Sequence, residues 1–266
     1  MTQENAVKKR IFSFDLDMTL LDHATWEIPA SAMETLEHLR KDSVIVIASG
    51  RNMDHEMSSM YRDMSKPDAV IHMNGTKVVA EGNVLYEHLM DKGRLERLLA
   101  YADENGISIG IGTGGYDYYI HPEGVVRMDE LRWGVSERNF RDGWELMELP
   151  VRTLVYIGGP DRAKELEEHF PEFKFPMFSG KMGADVVEKE ASKAEGLLRI
   201  CQHYGISMEH TVAFGDSMND YEVVQEAGTG IAMGNAVEEL KMVADYVTDD
   251  INRDGVWKAC RHFGWI

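Results

Sequence analysis

The sequence predicts an α/β protein: a mainly parallel sheet with covering helices, interrupted by a separate α+β module. Three observations predict it. Short, mostly apolar runs at residues 11–14, 44–48, 68–73, 211–214 and 230–233 read as strands, and that at 44–48 is too uniformly apolar to be half exposed. Helical patterns fall between them, as parallel strands require. Between residues 84 and 186 that alternation gives way to short strands paired near turns, with helices among them. The expected organisation is therefore a core formed by residues 1–83 and 187–266, with an inserted module at 84–186.

Taken in order, the run at 11–14 ends abruptly in two carboxylates, Asp15 and Asp17. Residues two apart on a strand share a side. At a strand's carboxyl end both face the crevice where open α/β sheets bind ligands. Two such anions repel, and burial sharpens the repulsion, so a proton, a cation or a metal must compensate. Mg²⁺ takes oxygen ligands and keeps several waters, so one or two carboxylates suffice to hold it. The structural alternative is that Asp15 cancels a nearby Lys or Arg and Asp17 caps a turn.

An irregular excursion follows at residues 20–29. Ser31 then caps a helix whose apolar positions are Met33, Leu36 and Leu39. The strand at 44–48 ends in Ser49-Gly50-Arg51. The next helix carries Met53, Met57, Met60 and Met64 on one stripe, which is assigned to the core. The strand at 68–73 ends at Asn74-Gly75. In the module, a strand from residue 84, a helix at 94–102, two strands, a Trp-containing region, a strand at 153–157, a helix at 163–169 and further strands are expected. Gly110-Ile-Gly112-Thr-Gly-Gly115 matches a dinucleotide fingerprint in letters only. That fingerprint needs a helix at its third glycine, whereas residues 116–121 read as a strand, so the glycines form a hairpin turn and no nicotinamide cofactor is implied. Beyond the module come a helix at 192–203, the strand at 211–214, Gly215-Asp216-Ser217-Met218-Asn219-Asp220, a helix, the strand at 230–233 and a last helix near Val256.

Composition narrows the function classes. The 266 residues are 44% hydrophobic and 28% charged, enough for a substantial core. The net charge of -18 argues against nucleic acid and anionic membranes as partners. It leaves a small anionic substrate open, because screening confines distant charges to about 8 Å at physiological salt. The two cysteines, Cys201 and Cys260, give no disulfide framework. The first ten residues are polar, with no apolar leader segment, and no apolar run nears the ~18 residues of a membrane helix. A soluble cytoplasmic protein is expected.

Four spots thus stand at strand ends or a helix start: Asp15/Asp17, Ser49-Gly50, Lys193 and Asp216/Asp220. Singly, each has a plain reading. Ser49 is a helix cap, Lys193 a solvated surface charge, and Asp216 and Asp220 an i, i+4 pair of like charges on one helical face. Jointly, three of the four repeat one strand-then-polar-loop pattern, as a phosphoryl-transfer site requires.

In this order, Asp-x-Asp-x-Thr-Leu, strand-end Ser-Gly-Arg, Ser-Lys before a helix and Gly-Asp-Ser-x-Asn-Asp resemble the haloacid dehalogenase (HAD) superfamily. The insertion, Met-Asn-Gly at 73–75 and Ala-Met-Gly-Asn at 232–235 are similar to its Cof-type subfamily, which carries a large C2-type cap. The resemblance spans essentially the whole chain. It departs at Met18, where Gly is commonest, and at Lys193-Ala-Glu-Gly, where a glycine often follows the lysine directly. The resemblance implies a Rossmann-like core with an α+β cap, closing over a crevice that binds small phosphorylated metabolites. Asp15 is then the nucleophile, forming an aspartyl-phosphate. Asp17 protonates the leaving alkoxide and later accepts a proton from water, a role calling for a pKa raised toward neutrality. Mg²⁺ is held by the Asp15 carboxylate, the Asp17 main-chain carbonyl and Asp216. Ser49, the Gly50 amide, Lys193 and Asn219 hold phosphate; Asp220 orients metal waters or Lys193; Arg51, Asn74 and Asn235 support.

The implied activity is a Mg²⁺-dependent phosphomonoesterase, with sugar phosphates the leading substrates and pyridoxal or flavin-pathway phosphates next. Tyr116, Tyr118, Tyr119 and Trp133 either line its pocket or pack within the cap. The alternatives are a sugar phosphomutase and a ligand-binding regulator without turnover. The motifs set neither the substrate nor the oligomeric state.

Overall fold

The computed structural model describes residues 9–178 and 180–266. Most of the polar stretch read for a leader therefore lies outside the described residues. The chain divides into two units, residues up to 87 with 191–266, and the insert His88–Glu190.

The first unit opens with β1 (Arg10–Phe14), α1 (Ala30–Leu39), β2 (Ser43–Ala48), α2 (Glu56–Ser65), β3 (Ala69–His72), β4 (Lys77–Ala80) and β5 (Asn83–Glu87). The insert supplies α3 (Lys92–Glu104), β6 (Ser108–Thr113), β7 (Tyr116–Ile120), α4 (Glu123–Trp133), β8 (Phe140–Asp142), β9 (Leu154–Ile157), α5 (Pro160–His169), β10 (Phe173–Lys174) and β11 (Gly183–Glu188). The first unit resumes with α6 (Lys193–Tyr204), β12 (Thr211–Gly215), α7 (Tyr221–Glu226), β13 (Thr229–Ala232), α8 (Glu238–Lys241), β14 (Tyr246–Val247) and α9 (Gly255–His262).

Its sheet runs β14-β13-β12-β1-β2-β3-β4-β5, parallel from β14 through β3. The central strands are apolar because both faces are covered. Phe14 stacks on Phe214 at 4.8 Å, and Phe12 meets the Trp265 ring edge-on at 5.0 Å. From β1 the chain steps to β2 and β3 on one side and returns as β12, β13 and β14 on the other. The switch point, where such sheets bind ligands, therefore lies at the carboxyl ends of β1 and β12.

Three sequence expectations change here. The strand beginning near residue 84 is β5, which pairs with β4 and extends the first unit's sheet, so the unit boundaries fall at 87/88 and 190/191. Ser31 does not cap α1; Pro29 stands at the cap, and the Ser31 hydroxyl donates to Asp254 at 2.7 Å. Of the methionine stripe only Met53 is buried. Met57 is 74% exposed, and Met60 and Met64 also face solvent. Instead α2 turns Ser58, Tyr61 and Ser65 inward, and the Ser65 hydroxyl bonds back to the Tyr61 carbonyl at 2.8 Å. Apolar spacing alone does not say which face is the inner one when small polar residues satisfy themselves on the helix.

The insert has its own six-stranded sheet, β10-β11-β9-β6-β7-β8, and its own core. Leu95, Leu98 and Leu99 of α3 and Leu166 of α5 belong to that core, with Ile109, Leu154, Tyr156 and Val186 from the strands. β6 and β7 form the expected hairpin. Gly114 and Gly115 turn it with φ of 60° and 80°, a region open to glycine. Tyr119 is buried edge-on to Phe140, Tyr118 packs against the insert core, Tyr116 lies under the Arg141 guanidinium at 4.4 Å, and Trp133 is exposed. No helix among the described residues is long and apolar enough to cross a membrane.

Candidate active site

The site assembles at the β1/β12 switch point. The Asp15 amide donates to the Phe214 carbonyl at 3.0 Å, carrying the ladder one residue past β1 and fixing where its carboxylate begins. Lys193 arrives as the first residue of α6, whose cap is Ser192 (the hydroxyl accepts from the Glu195 amide at 3.1 Å). Two missing side chains let that helix start come close. A Cβ on Gly75, at φ of 92°, would lie 2.0 Å from the Ser192 carbonyl oxygen, and one on Gly196 would lie 2.7 Å from an Ile71 methyl. Lys193 Nζ thus reaches Asp15 Oδ1 at 2.5 Å and Asp220 Oδ1 at 2.6 Å, with all three groups buried. The two carboxylates answer the unfavourable position of a cation at a helix N-terminus.

Asp216 and Asp220 do not share a helical face. Asp216 follows β12 in a loop, and Asp220 closes the single 3₁₀ turn Met218–Asp220. Asp220 Oδ2 accepts the amides of Asp216 at 3.0 Å and Ser217 at 3.2 Å, so this side chain shapes the loop that presents Asp216. Gly215 leaves it room, since a Cβ there would stand 2.4 Å from that of Asp220.

Carboxylate oxygens of Asp15, Asp216 and Asp220 lie within 4.8 Å of one another. The Asp216 carboxylate accepts no hydrogen bond from any described residue, although it is buried. Three carboxylates against one ammonium leave a formal double negative charge in a buried place. Burial pushes the Asp15 carboxyl up to about 8, a rise that Lys193 opposes and Asp220 and Asp17 reinforce. Burial and then Asp15 drive Asp216 well above its ordinary range. Lys193 stays protonated: burial works against its charge, but Asp15 and Asp220 outweigh it. A hard divalent cation fits this donor set in charge and in ligand chemistry.

Asp17 departs from expectation. The strand alternation ends at Phe14. The Leu16 carbonyl accepts amides from Leu20 at 2.9 Å and Leu21 at 2.7 Å, and Met18 turns the chain with φ of 59°. That left-handed φ is the physical reason glycine suits the position. The Asp17 carboxylate consequently meets Arg51, Nε to Oδ2 at 2.7 Å and Nη2 to Oδ1 at 2.5 Å, and His23, whose Nε2 is 2.6 Å from Oδ1. Burial raises its pKa, but the bonds to His23 and Arg51 outweigh that and hold the carboxyl below its ordinary range. The expected rise is reversed in this arrangement. His23 carried no sequence signal, because it belongs to an irregular loop and matches no motif.

The remaining residues tie loops together. The Ser49 hydroxyl is buried and accepts the Arg51 amide at 3.1 Å across Gly50, in the bend after β2. Asn74, at φ of 57°, donates its amide to the Ser49 carbonyl at 3.0 Å. Asn219 Nδ2 donates to Asn74 Oδ1 at 3.0 Å, and Asn219 Oδ1 accepts from Ser217 at 2.8 Å. Asn235 spans the Met18 carbonyl at 2.8 Å and the Ile251 amide at 2.9 Å. Asp15, Lys193, Asp216 and Asp220 thus form one cluster, Asp17, Arg51 and His23 a second, and Asn74 and Asn219 a strut between the ends of β3 and β12.

Comparison with known proteins adds the family. A family model described as haloacid dehalogenase-like hydrolase matches residues 12–260. The 5-amino-6-(5-phospho-D-ribitylamino)uracil phosphatase YcsE of Bacillus subtilis is 47% identical over 266 residues, covering 99% of this chain and 98% of that protein. Among solved structures, the HAD subclass IIB sugar phosphatase BT4131 is 30% identical with a TM-score of 0.86, covering 97% of this chain and 100% of its own. BT1666 from Bacteroides thetaiotaomicron, at 24% identity and a TM-score of 0.88, covers 100% of this chain and 99% of its own, and shares the fold.

Proposed function

The chain belongs to the haloacid dehalogenase-like hydrolases, and on that premise we propose that it is a Mg²⁺-dependent phosphomonoesterase acting on small phosphorylated metabolites. The observation that carries this reading is the buried Asp15 carboxylate, set between Lys193 and an Asp216 that lacks any protein donor among the described residues.

Asp15 attacks phosphorus, the ester P–O bond breaks, and the leaving oxygen takes a proton from Asp17, which has to enter this step protonated although its contacts with Arg51 and His23 favour the anion. Water then attacks the phosphorus of the aspartyl-phosphate and gives its proton to Asp17, releasing phosphate and restoring Asp15. The Asp17 anion held by Arg51 and His23 is the form the second step needs. Lys193, the Ser49 hydroxyl and the Gly50 amide compensate the phosphoryl oxygens, with Asn219, Asn74 and Arg51 fixing the loops around them. The Asp15 and Asp216 carboxylates and the Asp17 main-chain carbonyl hold Mg²⁺, which supplies charge neutralisation to the phosphoryl group.

Sugar phosphates remain the leading class, in line with the sugar phosphatase among the solved structures. The 47% identical relative supports setting beside them a phosphorylated ribityl chain carried on a pyrimidine. Phosphate release across a panel of such esters, with and without EDTA, tests the reading. Metal-dependent release is expected. Isomer without free phosphate points to a mutase, and no release from any ester removes the proposal.

A further inference from the structure

We propose that His23 is a positioning residue for Asp17, held in place by Trp26. This rests on the phosphatase reading of Asp17 and extends it to a residue outside every motif. His23 Nε2 lies 2.6 Å from Asp17 Oδ1, the oxygen that also takes Arg51 Nη2. Asp17 and Arg51 are both partly exposed, and a pair open to water holds its geometry weakly. A third donor from a fixed ring limits how far the carboxylate can swing.

The ring is fixed in turn. It stacks on the Trp26 indole at 4.7 Å and 18°. The short loop carrying both residues is closed by the Asp22 amide to the Glu27 carbonyl at 3.0 Å and by Asp22 Oδ1 accepting the Ala24 amide at 2.8 Å. Trp26 itself is 52% exposed and sits at φ of 58°, a conformation that costs a bulky residue energy. Its backbone is held by its own amide on the Asp22 carbonyl at 2.7 Å and by the Tyr61 hydroxyl on its carbonyl at 3.4 Å, which leaves the exposed indole lying against the His23 ring. The role needs only an N–H at Nε2, not a charge on the imidazole.

The test uses the full chain and the ester that wild type hydrolyses fastest. In His23→Ala, kcat is expected to fall about ten- to a hundredfold, the scale of a small misplacement of a reacting group, with KM within about twofold. His23→Gln returns an N–H near the same point and is expected to recover most of the loss; Trp26→Ala is expected to show a smaller fall of the same kind. An unchanged kcat in His23→Ala, a rise in KM alone (the mark of a substrate contact), or no recovery by glutamine overturns the proposal. If wild type hydrolyses nothing, the phosphatase reading fails separately. The crystal structure of His23→Ala then decides the positioning claim, which falls if Asp17 keeps its rotamer and its Arg51 contacts.

Discussion

Both units bury carboxylates, yet they are surrounded differently. In the insert, Glu188 is 1% exposed and takes donors from Arg94 at 3.0 Å, His88 at 2.6 Å and the Asp91 amide, while Arg94 also holds Glu190. Asp129, likewise buried, takes Arg138 through both oxygens at 2.6 and 3.0 Å, plus the Ser136 hydroxyl. In the first unit, Asp15, Asp216 and Asp220 share one lysine, and Asp216 has no donor among the described residues. The insert's buried carboxylates find their donors within the protein, whereas the charge left over around Asp216 is of the kind a ligand completes.

The contrast is exposed to experiment, most severely at the nucleophile. Asp15→Asn keeps the volume and removes the attacking anion, so turnover is expected to drop by about 10⁴-fold or more, while circular dichroism shows an intact fold. Activity near that of wild type removes Asp15 from the chemistry. Lys193→Met is expected to lower kcat/KM by about 10²- to 10³-fold, the cost of one donor to a developing negative charge; an unchanged value assigns the lysine to structure alone.

A smaller effect separates the two clusters directly. Titrating Mg²⁺ into the free protein is expected to raise its stability by about 2.7 kcal/mol at a hundredfold excess over Kd, read as a thermal shift that Asp216→Asn abolishes. If Glu188→Gln abolishes the shift instead, the metal belongs to the insert and the contrast is reversed.

Asp129 gives the matching test on the balanced side. Arg138 is the main reason its carboxyl sits below the ordinary range, with Ser136 helping. A depressed folded-state pKa adds stability that is complete above the unfolded value, about 3.9, and is lost as pH falls through the folded value. Asp129→Asn is therefore expected to cost up to about 3 kcal/mol at neutral pH, and progressively less in acid, by urea unfolding at a series of pH values. An equal loss at every pH means that packing, not charge, fixes the residue.

Sequence reached the strand ends well, because in an α/β chain a uniformly apolar run cut off by Asp, Ser or Gly marks a buried strand arriving at the sheet's rim. The approach of Asp15 and Asp216 follows from those ends plus the switch point, whereas Lys193 comes in at a helix start held close by Gly75 and Gly196. What the sequence hid is what depends on backbone direction. Asp17 left the strand's alternation because the chain turns at Met18, and the methionine stripe of α2 has the same period as a buried one while Ser58 and Ser65 take the inner face. Asn74 and Gly75 read from spacing only as the end of a strand. Their positive φ values and the contact with Ser192 show a joint between segments far apart in sequence.

The strand order also dictates a schedule. β1 is flanked by β2, made soon after it, and by β12, made near the end of the chain. While the ribosome works, one edge of β1 stays bare until residues beyond 210 emerge, whereas every strand of the insert's own sheet has already been synthesised. Domains tend to fold as they appear. The insert's sheet can therefore close before the first unit's, and the acidic cluster waits on β12 and the loop after it.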